Sequence, residues 1–276
     1  MELPETFEII RPSIVALGSK LDLIGGYPFP TIVGTGFVVD ERGIILTNRH
    51  VAEALQGLPR HPETGAETAV AFVFSEVIAE NGEHALRVNR IEIKAYSLMT
   101  RFDTAGPFYG EAMPDLAFLQ LAVQGLRPLQ IASEAHTLRV GLAVATAGFP
   151  LGTNALLLNN KIVQLTPLLR HGIISSLYPF PCPNPHGFTV DIMIQGGASG
   201  SPIFLPHEPL IVGMLYGGYG EQFEVDGRQI QLDSNLTLAL PGKLLCEALL
   251  QSMPDIDRLD LSDVPTLQSL SNDNLA

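Results

Sequence analysis

The sequence has no tryptophan, two cysteines and few aromatic side chains, which make up 7% of its 276 residues. A chain so poor in large rings must fill its interior with aliphatic side chains. Cations are also scarce: 16 Lys and Arg stand against 29 Asp and Glu, for a net charge of −13. That balance excludes nucleic acid or an anionic lipid surface as the main partner, because either would need a basic face. No apolar run is long enough to span a bilayer, and Met1-Glu-Leu-Pro-Glu-Thr-Phe-Glu lacks the basic-then-apolar order of a secretory signal. The expected location is therefore cytoplasmic. In that compartment Cys182 and Cys246 read as free thiols rather than a disulfide. The seven histidines show no metal-ligand spacing and no glycine-rich phosphate loop is present, so neither a metal nor a nucleotide cofactor is expected.

What the chain does have is punctuation, with 26 glycines and 21 prolines between short aliphatic and β-branched runs in a 46% hydrophobic composition. That pattern favours an all-β or β-rich architecture over a helical bundle. Arg11–Leu17 reads as a first strand. Gly34–Asp40 and Ile44–Asn48 flank a charged turn ending in Gly43, which predicts a hairpin. Arg49–Leu55 then predicts one or two helical turns carrying His50. Ala69–Ile78 and Ala85–Tyr96 are strand-like, and the second alternates Val88, Ile91 and Ile93 with Arg87, Asn89, Arg90 and Lys94. Leu98–Met113 reads as a loop, and Asp115–Val123 as a buried strand with an acid at its head.

The polar stretch Gln124–His136 is the expected linker between halves at residues 1–125 and 126–253. Beyond it, strands are expected at Leu142–Phe149, Gly172–Leu177, Phe188–Ile194, Ile203–Leu205, Leu210–Leu215 and Gln229–Leu240, with a further one near Lys161–Leu165. Gly217-Gly218 and Asp226-Gly227 read as turns. Leu244, Leu245, Ala248 and Leu249 share one helical face, so Pro241–Met253 should form a short C-terminal helix. The aspartate-rich segment 254–276 reads as a flexible acidic tail, with spaced leucines that could dock it.

The chemistry concentrates at Gln195-Gly-Gly-Ala-Ser-Gly-Ser-Pro202, where Ser199 sits on a tight turn between an apolar strand and a proline. The glycines allow φ > 0 and close substrate approach, so the N–H groups of Gly197 and Ser199 could point at one anion. Acyl transfer by a serine also needs a base and an acid to orient that base, and His50 and Asp115 supply these at other strand ends, in the order His, Asp, Ser. Gly34-Thr-Gly-Phe-Val-Val, Leu46-Thr-Asn-Arg-His-Val, Pro114-Asp-Leu-Ala-Phe-Leu, Gly148-Phe-Pro-Leu-Gly and Gly197-Ala-Ser-Gly-Ser-Pro, in that order, resemble the signatures of trypsin-like serine proteases. Within that family they are nearest to the HtrA/Deg branch, over about residues 11–253 and without a PDZ domain.

The resemblance implies an all-β fold, a double six-stranded β-barrel with the cleft between barrels, His50 and Asp115 on the first and Ser199 on the second. It implies a serine endopeptidase with His50 as general base, Asp115 fixing its tautomer, Ser199 as nucleophile, and the Gly197 and Ser199 N–H groups as the oxyanion hole. A polypeptide substrate and no cofactor follow, with oligomeric state open. By position, Met193, Ile194 and Gln195 face Leu215, Tyr216, Gly217 and Gly218 across the P1 pocket. None is acidic, which predicts apolar rather than basic P1 residues. Ala198 stands where family members carry aspartate or asparagine, and Ser201 replaces a usual glycine. Two other readings compete: a catalytically silent module that binds peptides, and an α/β-hydrolase esterase. The esterase would need a glycine where Ser201 stands and a catalytic histidine after the serine, where only His207 occurs. Loop 151–169 and Gly217–Gly220 are the expected elements of any gate over the site.

Overall fold

The computed structural model describes residues 1–21, 31–78, 82, 84–99, 114–133, 138–152, 157–158, 161–162, 166–225 and 228–272. The first barrel is built from β1 (Ile14–Ser19), β2 (Ile32–Asp40), β3 (Ile44–Thr47), β4 (Ala69–Ile78), β5 (His84–Leu98) and β6 (Ala117–Leu121). These close in the antiparallel order β1-β2-β3-β6-β5-β4, with β4 returning to β1. A two-residue strand, β7 (Gln130–Ile131), leads to the second barrel. Its strands are β8 (Ala143–Gly148), then, past the short pair β9 (Leu157–Leu158) and β10 (Lys161–Ile162), β11 (Leu168–Tyr178), β12 (Gly187–Val190), β13 (Pro202–Leu205), β14 (Glu208–Val225) and β15 (Arg228–Pro241). Their order is β13-β8-β11-β12-β15-β14, and a β13–β14 pairing closes the ring. Strand β7 adds to β14 in parallel, so part of the expected linker is a paired strand.

Hydrophobic pattern explains which strands were easy to read. In β1, Val15 and Leu17 point into the first barrel while Ile14 and Ala16 point toward the second, so all six residues are buried and the strand reads as one apolar run. Ile44, Ile45 and Leu46 of β3 divide in the same way. Strand β5 has one wet face, with Ile91 and Ile93 inside and Arg90, Glu92 and Lys94 outside, hence its alternation. The core between barrels joins Phe37, Phe72 and Phe118 of the first to Phe149, Phe204 and Met214 of the second.

The helices account for most departures from expectation. Helix α1 (Leu3–Ile10) has Pro4 in its first turn and runs through a 3-10 turn at Arg11–Ser13, so the first strand starts at Ile14 rather than Arg11. Helix α2 (Arg49–Gln56) lies where expected. Helix α3 (Gly242–Ile256) passes through Pro254, because Ile256 is buried in the inter-barrel core and holds the last turn in place. The expected flexible tail is instead docked as far as Leu270. Arg42 Nη1 pairs with Asp257 at 2.7 Å, Gln124 exchanges backbone hydrogen bonds with Pro265 and Leu267, and its side chain donates to Val264 O at 2.7 Å. Leu267 and Leu270 of helix α4 (Leu267–Asn272) pack on the first-barrel core. The spaced leucines decide that outcome over the acidic composition.

Two strand boundaries also differ. Gly217-Gly218 is no turn: β14 runs through it by register shifts between Leu215 and Gly217 and between Gly218 and Gly220. Strand β12 ends at Val190, where Asp191 turns its carboxylate to accept the Ile173 N–H at 2.6 Å. Of the expected loop Leu98–Met113, Leu98 is the last residue of β5, and residues 100–113, like the Asp226-Gly227 turn, lie outside the described residues. Both cysteines are free thiols. Among the described residues no helix is long and apolar enough to cross a membrane.

Candidate active site

His50 and Asp115, the expected base and acid, meet at the start of α2. Asn48, the residue before the helix, is extended and does not cap it with its own side chain. Asp115, on the approach to β6, does so from another element: its Oδ1 accepts the His50 backbone N–H at 3.0 Å. A carboxylate there also faces the positive end of the helix. The second oxygen of the same carboxyl, Oδ2, lies 2.6 Å from His50 Nδ1. One side chain thus holds the imidazole by its ring and by its backbone. Asn48 Nδ2 donates to Asp115 O at 2.9 Å, and an Arg49 guanidinium nitrogen to Pro114 O at 3.3 Å, so three consecutive residues grip the Pro114-Asp115 peptide. Gly34 makes the approach of α2 possible, since a Cβ there would lie 2.5 Å from Val51 Cγ1.

Ser199 comes from the second barrel. Its loop turns at Gly197 (φ 94°) and Gly200 (φ 85°), conformations that favour glycine. Ala198 N–H donates to Gln195 O at 3.1 Å, Gly200 N–H to Leu215 O at 2.9 Å, and Leu215 N–H to Ser201 O at 3.0 Å. The loop docks against the first barrel: Thr35 N–H donates to Ser199 O at 2.9 Å and Thr35 Oγ1 to Gly197 O at 2.8 Å. A Cβ on Gly200 would come within 2.6 Å of Thr47 Oγ1, at the end of β3, the strand that leads through Asn48 into His50. Among the described residues the N–H groups of Gly197 and Ser199 donate to no protein acceptor, and no hydrogen bond joins the Ser199 hydroxyl to His50.

Of the expected pocket residues, Ile194 and Gly218 are brought together: a Cβ on Gly218 would be 3.8 Å from Ile194 Cγ1. Met193 is 40% exposed, and its carbonyl accepts a bond from the Arg170 guanidinium. A Cβ on Gly217 would be 3.9 Å from Leu238 Cδ1, an ordinary contact, and the two glycines pair through β14 with Leu238 and Thr237. Tyr216 and Gln195 are half-buried, whereas Leu215 is fully buried in the second-barrel core and meets the Ser199 loop by its backbone. Much of loop 151–169 lies outside the described residues.

Sequence reasoning assigned no role to Thr35, Asn48 or Thr47, though all three stood inside quoted motifs. The available signal was spacing: Thr35 between two glycines, and Asn48 two residues before a histidine. Ser201 is 1% exposed with its hydroxyl unpartnered, pressed toward Gly148, where a Cβ would lie 2.0 Å from Ser201 Oγ.

Comparison with known proteins agrees with this architecture. A chain of the HtrA-type protease AlgW, in complex with a tripeptide, superposes with a TM-score of 0.52 at 16% identity. The match covers 92% of the present chain and 64% of that chain, so this chain spans less than two thirds of that relative. Deg5 superposes with a TM-score of 0.49 at 19% identity over 90% of each chain. No curated protein sequence matches. The family model for the trypsin-like peptidase domain matches residues 34–214, more than half of the chain and the whole span from Gly34 through His50, Asp115 and Ser199 to β14. This chain belongs to the trypsin-like peptidase domain family.

Proposed function

We propose that this chain is a serine endopeptidase that cleaves polypeptides through His50, Asp115 and Ser199. The observation that carries the reading is the double hold of Asp115 on His50, at 3.0 Å to the backbone N–H and 2.6 Å to Nδ1. With the Nδ1 proton committed to the carboxylate, the lone pair of Nε2 is left as the base, and the backbone bond keeps the acid from following a rotating ring. His50 takes the Ser199 proton as the oxygen attacks the scissile carbonyl, and the resulting imidazolium is stabilised by Asp115. The negative charge on the tetrahedral carbon's oxygen is met by the Gly197 and Ser199 N–H groups, which have no competing acceptor among the described residues. Collapse of the intermediate expels the amine, protonated by His50, and leaves an acyl-enzyme. Water then attacks by the same route, with His50 again as base.

The P1 side chain is received between Met193–Gln195 and Tyr216–Gly218, with Leu215 behind. No acidic side chain is present among these residues, so apolar P1 residues are preferred. A fluorophosphonate probe tests the chemistry: the wild type is labelled and Ser199→Ala is not. Absence of labelling in both would favour a silent peptide-binding module. A peptide-library profile tests the pocket, and dominance of Lys or Arg at P1 would refute the apolar assignment.

A further inference from the structure

The nucleophile loop belongs to the second barrel, yet its backbone is set by one residue of the first. Thr35 is fully buried in β2, and its polar atoms are all engaged. Its carbonyl accepts Thr47 Oγ1 at 2.7 Å, and its N–H donates to Ser199 O at 2.9 Å. Its hydroxyl accepts Phe149 N–H at 3.0 Å and donates to Gly197 O at 2.8 Å. The peptide between Gly197 and Ala198 is therefore fixed at both ends, by Thr35 Oγ1 on its oxygen and by Gln195 O on its N–H. The peptide between Ser199 and Gly200 is fixed likewise, by Thr35 N on its oxygen and Leu215 O on its N–H. Between these two anchored planes lies the peptide that carries the Ser199 N–H, and immediately before them lies the one that carries the Gly197 N–H. The turn is also closely packed at both glycines: a Cβ on Gly200 would sit 2.0 Å from Thr35 O, and one on Gly197 would sit 2.4 Å from Phe149 O.

We infer that Thr35 is a positioning residue for the oxyanion hole, and that its hydroxyl makes the aim of the two N–H donors depend on contact between the barrels. This deepens the protease reading and rests on it. Because the donors act only on the developing oxyanion, misaim lowers turnover while substrate affinity is kept. Thr35→Val keeps the shape and removes the hydroxyl, whereas Thr35→Ser keeps the hydroxyl.

The test measures kcat per titrated active site, KM, affinity for a peptide boronate, and amide hydrogen exchange over residues 195–201. Thr35→Val should lower kcat about 10²-fold with KM within about twofold, weaken the boronate in proportion, and speed exchange at Ala198, Gly200 and Ser201. Thr35→Ser should restore all three to within about threefold. If Thr35→Val loses thermal stability but keeps its wild-type kcat per site and its exchange pattern, Thr35 is only a packing residue and the inference fails. A wild type inert to fluorophosphonate would refute the protease reading instead. In that event unchanged exchange in Thr35→Val also overturns the role of Thr35, and faster exchange confined to 195–201 upholds it as the anchor of the loop.

Discussion

Replacing Gly148 by alanine should damage the fold in a way that depends on the identity of Ser201. The added Cβ would lie 2.0 Å from Ser201 Oγ, 3.1 Å from Ser201 Cβ and 2.8 Å from Thr35 Oγ1. Ser201 is 1% exposed, so its hydroxyl has no free volume to retreat into. Overpacking of this kind costs about 1–3 kcal/mol, and about 2 kcal/mol is expected for Gly148→Ala alone. Ser201→Gly removes both the hydroxyl and the Cβ. Alone it should be near neutral, since relief of an unpartnered buried hydroxyl, worth about 1 kcal/mol, offsets the backbone entropy of a new glycine. In that background only Thr35 Oγ1 still crowds residue 148, and Gly148→Ala should cost about 1 kcal/mol less than in the wild type. Urea unfolding of the four proteins at a constant slope reads the coupling directly. Additivity of the two substitutions to within about 0.3 kcal/mol would refute the view that Ser201 is tolerated because Gly148 yields it space.

Asp115→Asn should leave folding nearly intact, because an amide oxygen can still accept the His50 N–H. The amide NH2 would face Nδ1, drive the ring proton to Nε2, and lower kcat at neutral pH by about 10⁴; a loss under tenfold would contradict the assignment. Asp40 titrates below the usual carboxylate range, chiefly through its side-chain hydrogen bond from Arg42, which also reaches Asp257. A depressed folded-state pKa stabilises above the unfolded value, near ~4, and that contribution is lost as pH falls through the folded value. The stability gap between wild type and Arg42→Ala should therefore be widest from about pH 5 upward and narrow below about pH 4, as read by unfolding midpoints across pH. A gap that widens on acidification would contradict the pairing.

Legibility in the sequence followed how many faces each element buries. The β2–β3 hairpin, α2 and β5 were readable because their patterns are local: a charged turn with Gly43, a short helical run, an alternating face. Strands β14 and β15 run further than their apolar stretches because glycines at 217, 218 and 220 let the ladder slip register without ending. The tail was misread because composition ranks it as solvated, while the partners that hold it, Gln124 and Arg42, lie far away in sequence. At the site, side chains with their own chemistry stood out. Thr35 and Asn48 did not, since their work is to hold backbone groups of residues 162 and 67 positions away, a relation that a single chain read in order does not display.

The docking of residues 261–270 onto Gln124 also bears on the order in which the molecule comes together during synthesis. The contact at Gln124 joins groups 140 positions apart, so the first barrel emerges from the ribosome long before the segment that finishes its surface. Ser199 and its loop are made in the interval. On the protease reading, competence is thereby deferred: the Ser199 loop meets Thr35 only when the barrels dock through the core they share, and sequence translated after both adds a further tie back to the first barrel.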